Sequence, residues 1–124
     1  MELLKVAEQI QAKIKLLEKM RAEIRERAET RATKAAEYDK QLAMTIMALQ
    51  SGKEMTLEGE KIQNPTATIT EKLAKGICWK EKLETDKAEG LYKSLISNIN
   101  SVQAELNGLQ SINKHLEEYP YCNH

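Results

Sequence analysis

Apolar residues recur every three or four positions through the first half of the chain. Alternate steps of four and three from Leu3 visit Ala7, Ile10, Ile14, Leu17, Arg21, Ile24, Ala28, Arg31, Ala35, Tyr38, Leu42, Thr45 and Leu49. All are apolar except Arg21, Arg31 and Thr45, so a 3.5-residue seam runs through a stretch with neither Gly nor Pro. The pattern predicts one helix from Glu2 to about Gln50, about 70 Å long, with Glu23 and Arg27 placed for i,i+4 support on its charged side. Ser51-Gly52 ends it, Gly52 serving as a left-handed cap. Residues 51–63 break the period. Met55-Thr56-Leu57 and Glu60-Lys61-Ile62 around Glu58-Gly59 fit either a small two-stranded hairpin or a plain loop. Asn64 as N-cap and Pro65 at the first helical position then open a short helix over about 65–75, which caps the end of the long helices and stops at Gly76. A second seam of Tyr92, Leu95, Ile99, Val102, Leu106, Leu109, Asn113 and Leu116 predicts a long helix from about Ile77 to Glu118. Gly90 and Gly108 each weaken it by about 1 kcal/mol relative to Ala. Pro120 leaves residues 119–124 as a tail.

These elements predict a single all-α domain over residues 1–124, with two long antiparallel helices and a short capping helix. One such hairpin leaves apolar stripes wet, so an oligomeric helical bundle, dimer or higher, is expected. The stretch from Leu91 to Glu118 is rich in Ser, Asn and Gln and poor in charge, hence cheap to desolvate. Tyr92, Leu95, Ile99, Val102, Leu106 and Leu109 are its candidate oligomer contacts.

Composition sharpens this picture. The 124 residues are 41% hydrophobic but only 4% aromatic, with no Phe, 5 Gly and 2 Pro; this disfavours β-sandwiches and matches Ala/Glu/Lys/Leu/Arg helices. Lys plus Arg and Asp plus Glu are both 19, a net charge of zero. No apolar run spans a bilayer and no secretory segment opens the chain, so no membrane partner and a cytoplasmic location are expected. Cys78 and Cys122 make no disulfide framework.

Half of the chain, from Leu57 onward, carries Pro65-Thr66-Ala67-Thr68-Ile69, Leu73-Ala74-Lys75-Gly76, Asp86-Lys87-Ala88-Glu89-Gly90-Leu91-Tyr92-Lys93 and Gln103-Ala104-Glu105-Leu106. In these stretches it resembles a family of small helical early proteins from phages and prophages of Gram-positive bacteria. Cys78 and Trp79 depart from that pattern. The resemblance implies a setting in the host bacterial cytoplasm, where small early phage proteins assist DNA metabolism or block host defence. It implies no mechanism.

Catalysis is not expected. His115 and His124 lie near the C-terminus, Cys122 with His124 falls short of a zinc ligand set, no carboxylates stand out as an acid–base pair, and no glycine-rich phosphate loop occurs. No cofactor or metal is expected. Anion binding is the chemistry to weigh. All of the arginines fall between Arg21 and Arg31, and two of them, Arg21 and Arg31, sit on the apolar seam. There a guanidinium must snorkel, pair with a carboxylate or take an anion; the interleaved Glu18, Glu23, Glu26 and Glu29 favour pairing. Trp79, the only Trp, stands among Lys75, Lys80 and Lys82, an arrangement suited either to stacking a base and holding its phosphate or to anchoring the end of a bundle. Thr66 and Thr68, with Thr70, bring hydroxyls to the start of the short helix. Met44, Met47 and Met55 suit an adaptable protein-binding surface or a core without Phe.

The candidate ligand-binding set is therefore Arg21, Arg31, Thr66, Thr68, Lys75, Trp79 and Lys80. Arg31 and Gln50 are separated by about 28 Å of helix rise, so arginines and Trp79 would meet only across an antiparallel dimer. The expected function is a non-catalytic binding protein that counters host antiviral defence, by sequestering an anionic nucleotide signal or occluding a defence protein. The alternative is an accessory to phage recombination or replication that contacts single-stranded DNA or a recombinase. Zero net charge counts against tight nucleic-acid binding.

Overall fold

The computed structural model describes residues 3–118. Expectations for Glu2, the 119–124 tail, Cys122 and His124 lie outside the described residues. The order is α1 (Leu3–Gln50), β1 (Met55–Leu57), β2 (Glu60–Ile62), α2 (Ala67–Ile77) and α3 (Trp79–Glu118). The fold is all-α with one two-stranded antiparallel sheet. No helix among the described residues is long and apolar enough to cross a membrane. Packing divides the described residues into two compact units, 3–27 with 92–118 and 28–91.

In the first unit, Leu17 and Met20 of α1 form a core with Leu95, Val102 and Leu106 of α3, and Ile10, Ile14, Ile24 and Ile99 pack around it. Lys13 pairs with Glu105, and the Arg21 guanidinium donates to Gln103 Oε1 at 3.1 Å. Val6 and Met20 are buried while Leu3 is exposed, which moves the seam off the strict 3.5-residue register. A straight helix drifts about 20° per heptad from that repeat, so the buried face migrates to neighbouring positions. Leu95, Val102 and Leu106 are buried within one chain, and Ile99 packs against the same cluster.

The second unit is built on turns that the sequence dictates. Gly52 adopts φ 88° and closes α1 in a Schellman motif: Lys53 N donates to Ala48 O and Gly52 N to Leu49 O, at 3.0 and 3.2 Å. Residues 51–63 do form a hairpin. Glu58 and Gly59 both have positive φ in the two-residue loop between Leu57 and Glu60. This is the backbone of a type I′ turn, which matches the strands' right-handed twist.

Two expectations at α2 are corrected. The N-cap is Thr66, not Asn64; Asn64 instead takes a left-handed φ of 51°, and its side chain lies beside Gly52. The helix also runs through Gly76 to Ile77 rather than stopping near Lys75. Gly76 eases a close approach: a Cβ there would lie 3.0 Å from Leu57 Cδ2, so the Leu57 side chain packs over α2 without having to shift. Gly90 and Gly108 mark no such approach, since a Cβ at either meets nothing within 4 Å.

Cys78 separates α2 from α3, and its side chain is buried against Thr45 with Oγ1 to Sγ at 3.3 Å. Thr45 already donates to Gln41 O at 2.8 Å, so the thiol is the donor in that contact. The Thr85 hydroxyl lies 3.0 Å from the carbonyl oxygens of both Lys34 and Glu81, which ties α3 to α1. No buried side-chain nitrogen or oxygen among the described residues lacks a partner.

Candidate functional site

Trp79 opens α3 one residue beyond the buried Cys78, and the 100° step of the helix turns it outward. It is 50% exposed, and Leu83, one turn on, is also exposed. Lys80 Nζ lies 5.7 Å from the Trp79 ring centroid. One turn of α1 in the same unit exposes Met44 and Met47, 53% and 68% accessible. Their positions fall on the side of α1 away from the buried Thr45 and Leu49. Ile69 of α2 is exposed as well. Unit 28–91 thus presents large apolar side chains on each of its helices.

Of the candidate cations of this unit, Arg31 and Lys75 are engaged by carboxylates, as is the neighbouring Lys82. Lys75 pairs with Glu71 at 3.3 Å, Lys82 with Asp86 at 3.1 Å and Arg31 with Glu89 at 3.4 Å. The hydrogen bond that Lys82 donates to Asp86, and the negative charge of that carboxylate, raise the Lys82 pKa above its ordinary value, and Lys82 Nζ also sits 5.6 Å from the Tyr38 ring centroid. A small cleft of about 220 Å³ runs beside Lys80, lined by Lys34, Glu37, Glu81 and Glu84 as well. Three carboxylates against two ammonium groups make poor surroundings for a phosphate.

The hydroxyls at the start of α2 are also committed. Thr66 Oγ1 and Thr68 Oγ1 lie 3.1 Å apart, Thr70 Oγ1 donates to Thr66 O at 2.8 Å, and Thr66 makes no side-chain cap to its own helix. Arg21 belongs to the first unit, where it is exposed and bonded to Gln103. Among the candidate residues of unit 28–91, Lys80 meets Trp79 and Thr66 meets Thr68, while Arg31 and Lys75 each have a carboxylate partner. No group of three or more His, Cys, Asp or Glu side chains that could hold a metal occurs among the described residues.

Leu83 escaped the sequence reading, although its i+4 spacing from Trp79 was available as a signal. The acidic lining of the Lys80 cleft was also missed, because Glu37 comes from α1, far away in sequence. Of the six candidate oligomer contacts, Leu109 borders an open groove of the first unit. No protein family, curated protein or solved structure matches the chain.

Proposed function

We propose that this chain is a non-catalytic binding protein that acts by covering a surface of another protein, and that it works as an oligomeric bundle of antiparallel long helices. The antiparallel reading is supported inside each unit by itself. Lys13 meets Glu105 and Arg21 meets Gln103 in one; Arg31 meets Glu89, Lys34 meets Thr85 and Thr45 meets Cys78 in the other. In both, the partners, on α3 or at Cys78 just before it, fall in number as those on α1 rise.

The observation that carries the binding reading is the chemistry of unit 28–91. Its apolar groups Met44, Met47, Trp79 and Leu83 are exposed, whereas the candidate phosphate ligands Arg31 and Lys75, and Lys82 beside Trp79, are each paired with a carboxylate. Exposed Met and Trp side chains adapt to and anchor protein surfaces. A nucleotide, by contrast, needs several free donors aimed at one phosphate. Of the two modes expected for a phage protein that counters host defence, occlusion of a defence protein is therefore the one these residues favour. The stacked Lys80–Trp79 pair is the feature that keeps nucleotide or single-stranded DNA binding as the alternative.

Titration of the full chain with cyclic nucleotides, ADP-ribose nucleotides and oligothymidylate, followed by Trp79 fluorescence, separates these. Protein occlusion predicts no saturable change with any of them. A saturable quench at micromolar nucleotide replaces this reading with sequestration of a signal, and one with oligothymidylate that weakens with salt replaces it with a DNA-metabolism role.

A further inference from the structure

Residues 94–113 of α3 contain one charged side chain, Glu105, in a protein whose residues are 31% charged. That charge is neutralised by Lys13 of α1. The same pair stands beside an open groove of about 570 Å³ in the first unit, lined by Gln9 and Ala12 from α1 and by Gly108, Leu109 and Ile112 from α3. Helical steps extend the stripe through Ser101, Asn98 and Ser94 on α3, all exposed and uncharged. On α1 they extend it to Leu16, which is 40% exposed, while Ile112 is 43% exposed. The groove also has an unfilled notch, because a Cβ on Gly108 would meet nothing within 4 Å.

We infer that this groove is the contact surface for a second copy of the chain, related by a two-fold axis. The inference rests on the oligomeric reading above and assigns it a place. An isologous interface must be complementary to itself. A groove whose single Lys and single Glu already neutralise each other places no uncompensated like charge against its own copy. It also joins projecting Leu16 and Ile112 with recesses at Ala12 and Gly108, so knobs of one copy have holes in the other. The groove and the uncharged stripe that continues from it follow about 30 Å of α3. That length places the groove at the centre of the roughly 800 Å² per partner that a stable association buries. A charged partner would find no counter-charge here, which favours a second copy over an acidic or basic protein.

Sedimentation velocity of the full chain at 1–50 µM tests this with three variants. The wild type should sediment at twice the 14.1 kDa of one chain or a higher multiple. Gly108→Arg and Ile112→Glu should each weaken self-association at least ~100-fold while helical circular dichroism stays at the wild-type level, and Met47→Glu in the other unit should leave association unchanged. Gly108 lies in open space, and arginine is a better helix former than glycine, so Gly108→Arg decides the matter even where Ile112→Glu unfolds the chain. A wild type that sediments as 14.1 kDa throughout overturns both this assignment and the oligomeric reading. A wild-type oligomer that Gly108→Arg leaves intact overturns the assignment alone.

Discussion

Leu106 is 6% exposed and lies in the cluster with Leu17, Met20, Leu95 and Val102. Leu106→Ala deletes three carbons from that cluster. At about 0.8 kcal/mol for each buried methylene-sized group, the lost transfer energy is about 2.4 kcal/mol. The cavity left behind adds to it, since a ladder of side chains from two helices closes only partly, and the total comes to about 3 kcal/mol. Against a stability on the order of 5–15 kcal/mol, this is a large fraction, and it lowers Tm by roughly 10–15 °C for a chain of this size. Urea melts at one fixed protein concentration measure it, with Leu83→Ala as the control. Leu83 is 43% exposed, so its truncation should cost less than about 1 kcal/mol. Hydrogen exchange should place the loss of protection in residues 3–27 and 92–118. Equal costs for the two substitutions would refute the burial argument, as would a loss of protection confined to residues 28–91.

Gly90→Ala should stabilise the chain by up to about 1 kcal/mol in the same melts, because Gly90 is in the interior of α3 with open space at its Cβ position. Gly52→Ala should instead cost about 1–2 kcal/mol: its φ is +88°, and a Cβ would come within 3.2 Å of Asn64 Oδ1. Asp86→Asn should return the Lys82 pKa downward toward 10.5, since Asp86 supplies the hydrogen bond and most of the charge that raise it. In the wild type, any stability from that raised value is present at neutral pH and fades as pH climbs past it. NMR titration of the Lys82 side chain checks this, and an unchanged curve in Asp86→Asn would discard the pairing.

The long helices were legible because Gly and Pro are absent from the interior of α1 and because apolar spacing repeats for many turns. The hairpin was legible as one of two choices, since Glu58-Gly59 is a good two-residue turn but strands of three residues carry too few side chains to declare themselves. What stayed hidden depends on contacts between distant segments. Asn64 reads as a cap until Gly52 is placed beside it, and Gly76 reads as a terminator until Leu57 is seen to need its space. The same holds for the candidate site. Trp79 among lysines suggests a phosphate pocket when only neighbours in sequence are considered. Glu37 from α1, together with Glu81 and Glu84 from α3, changes the electrostatics of that place, and periodicity gives no warning of it. Arg31 was seen to need a partner, but Glu89 as that partner follows only from the fold.

Photo-crosslinking from unit 28–91 in a bacterial cell that carries an antiviral defence system tests the proposed function most directly. Met47, 68% exposed, is replaced by benzoylphenylalanine, and Lys15 of the other unit is replaced in the same way for comparison. Occlusion of a protein partner predicts one discrete heavier adduct from position 47, lost when Trp79→Ala and Leu83→Ala are added, and none of that mass from position 15. The account is contradicted if position 47 yields no adduct with any host protein, or yields the same adducts as position 15.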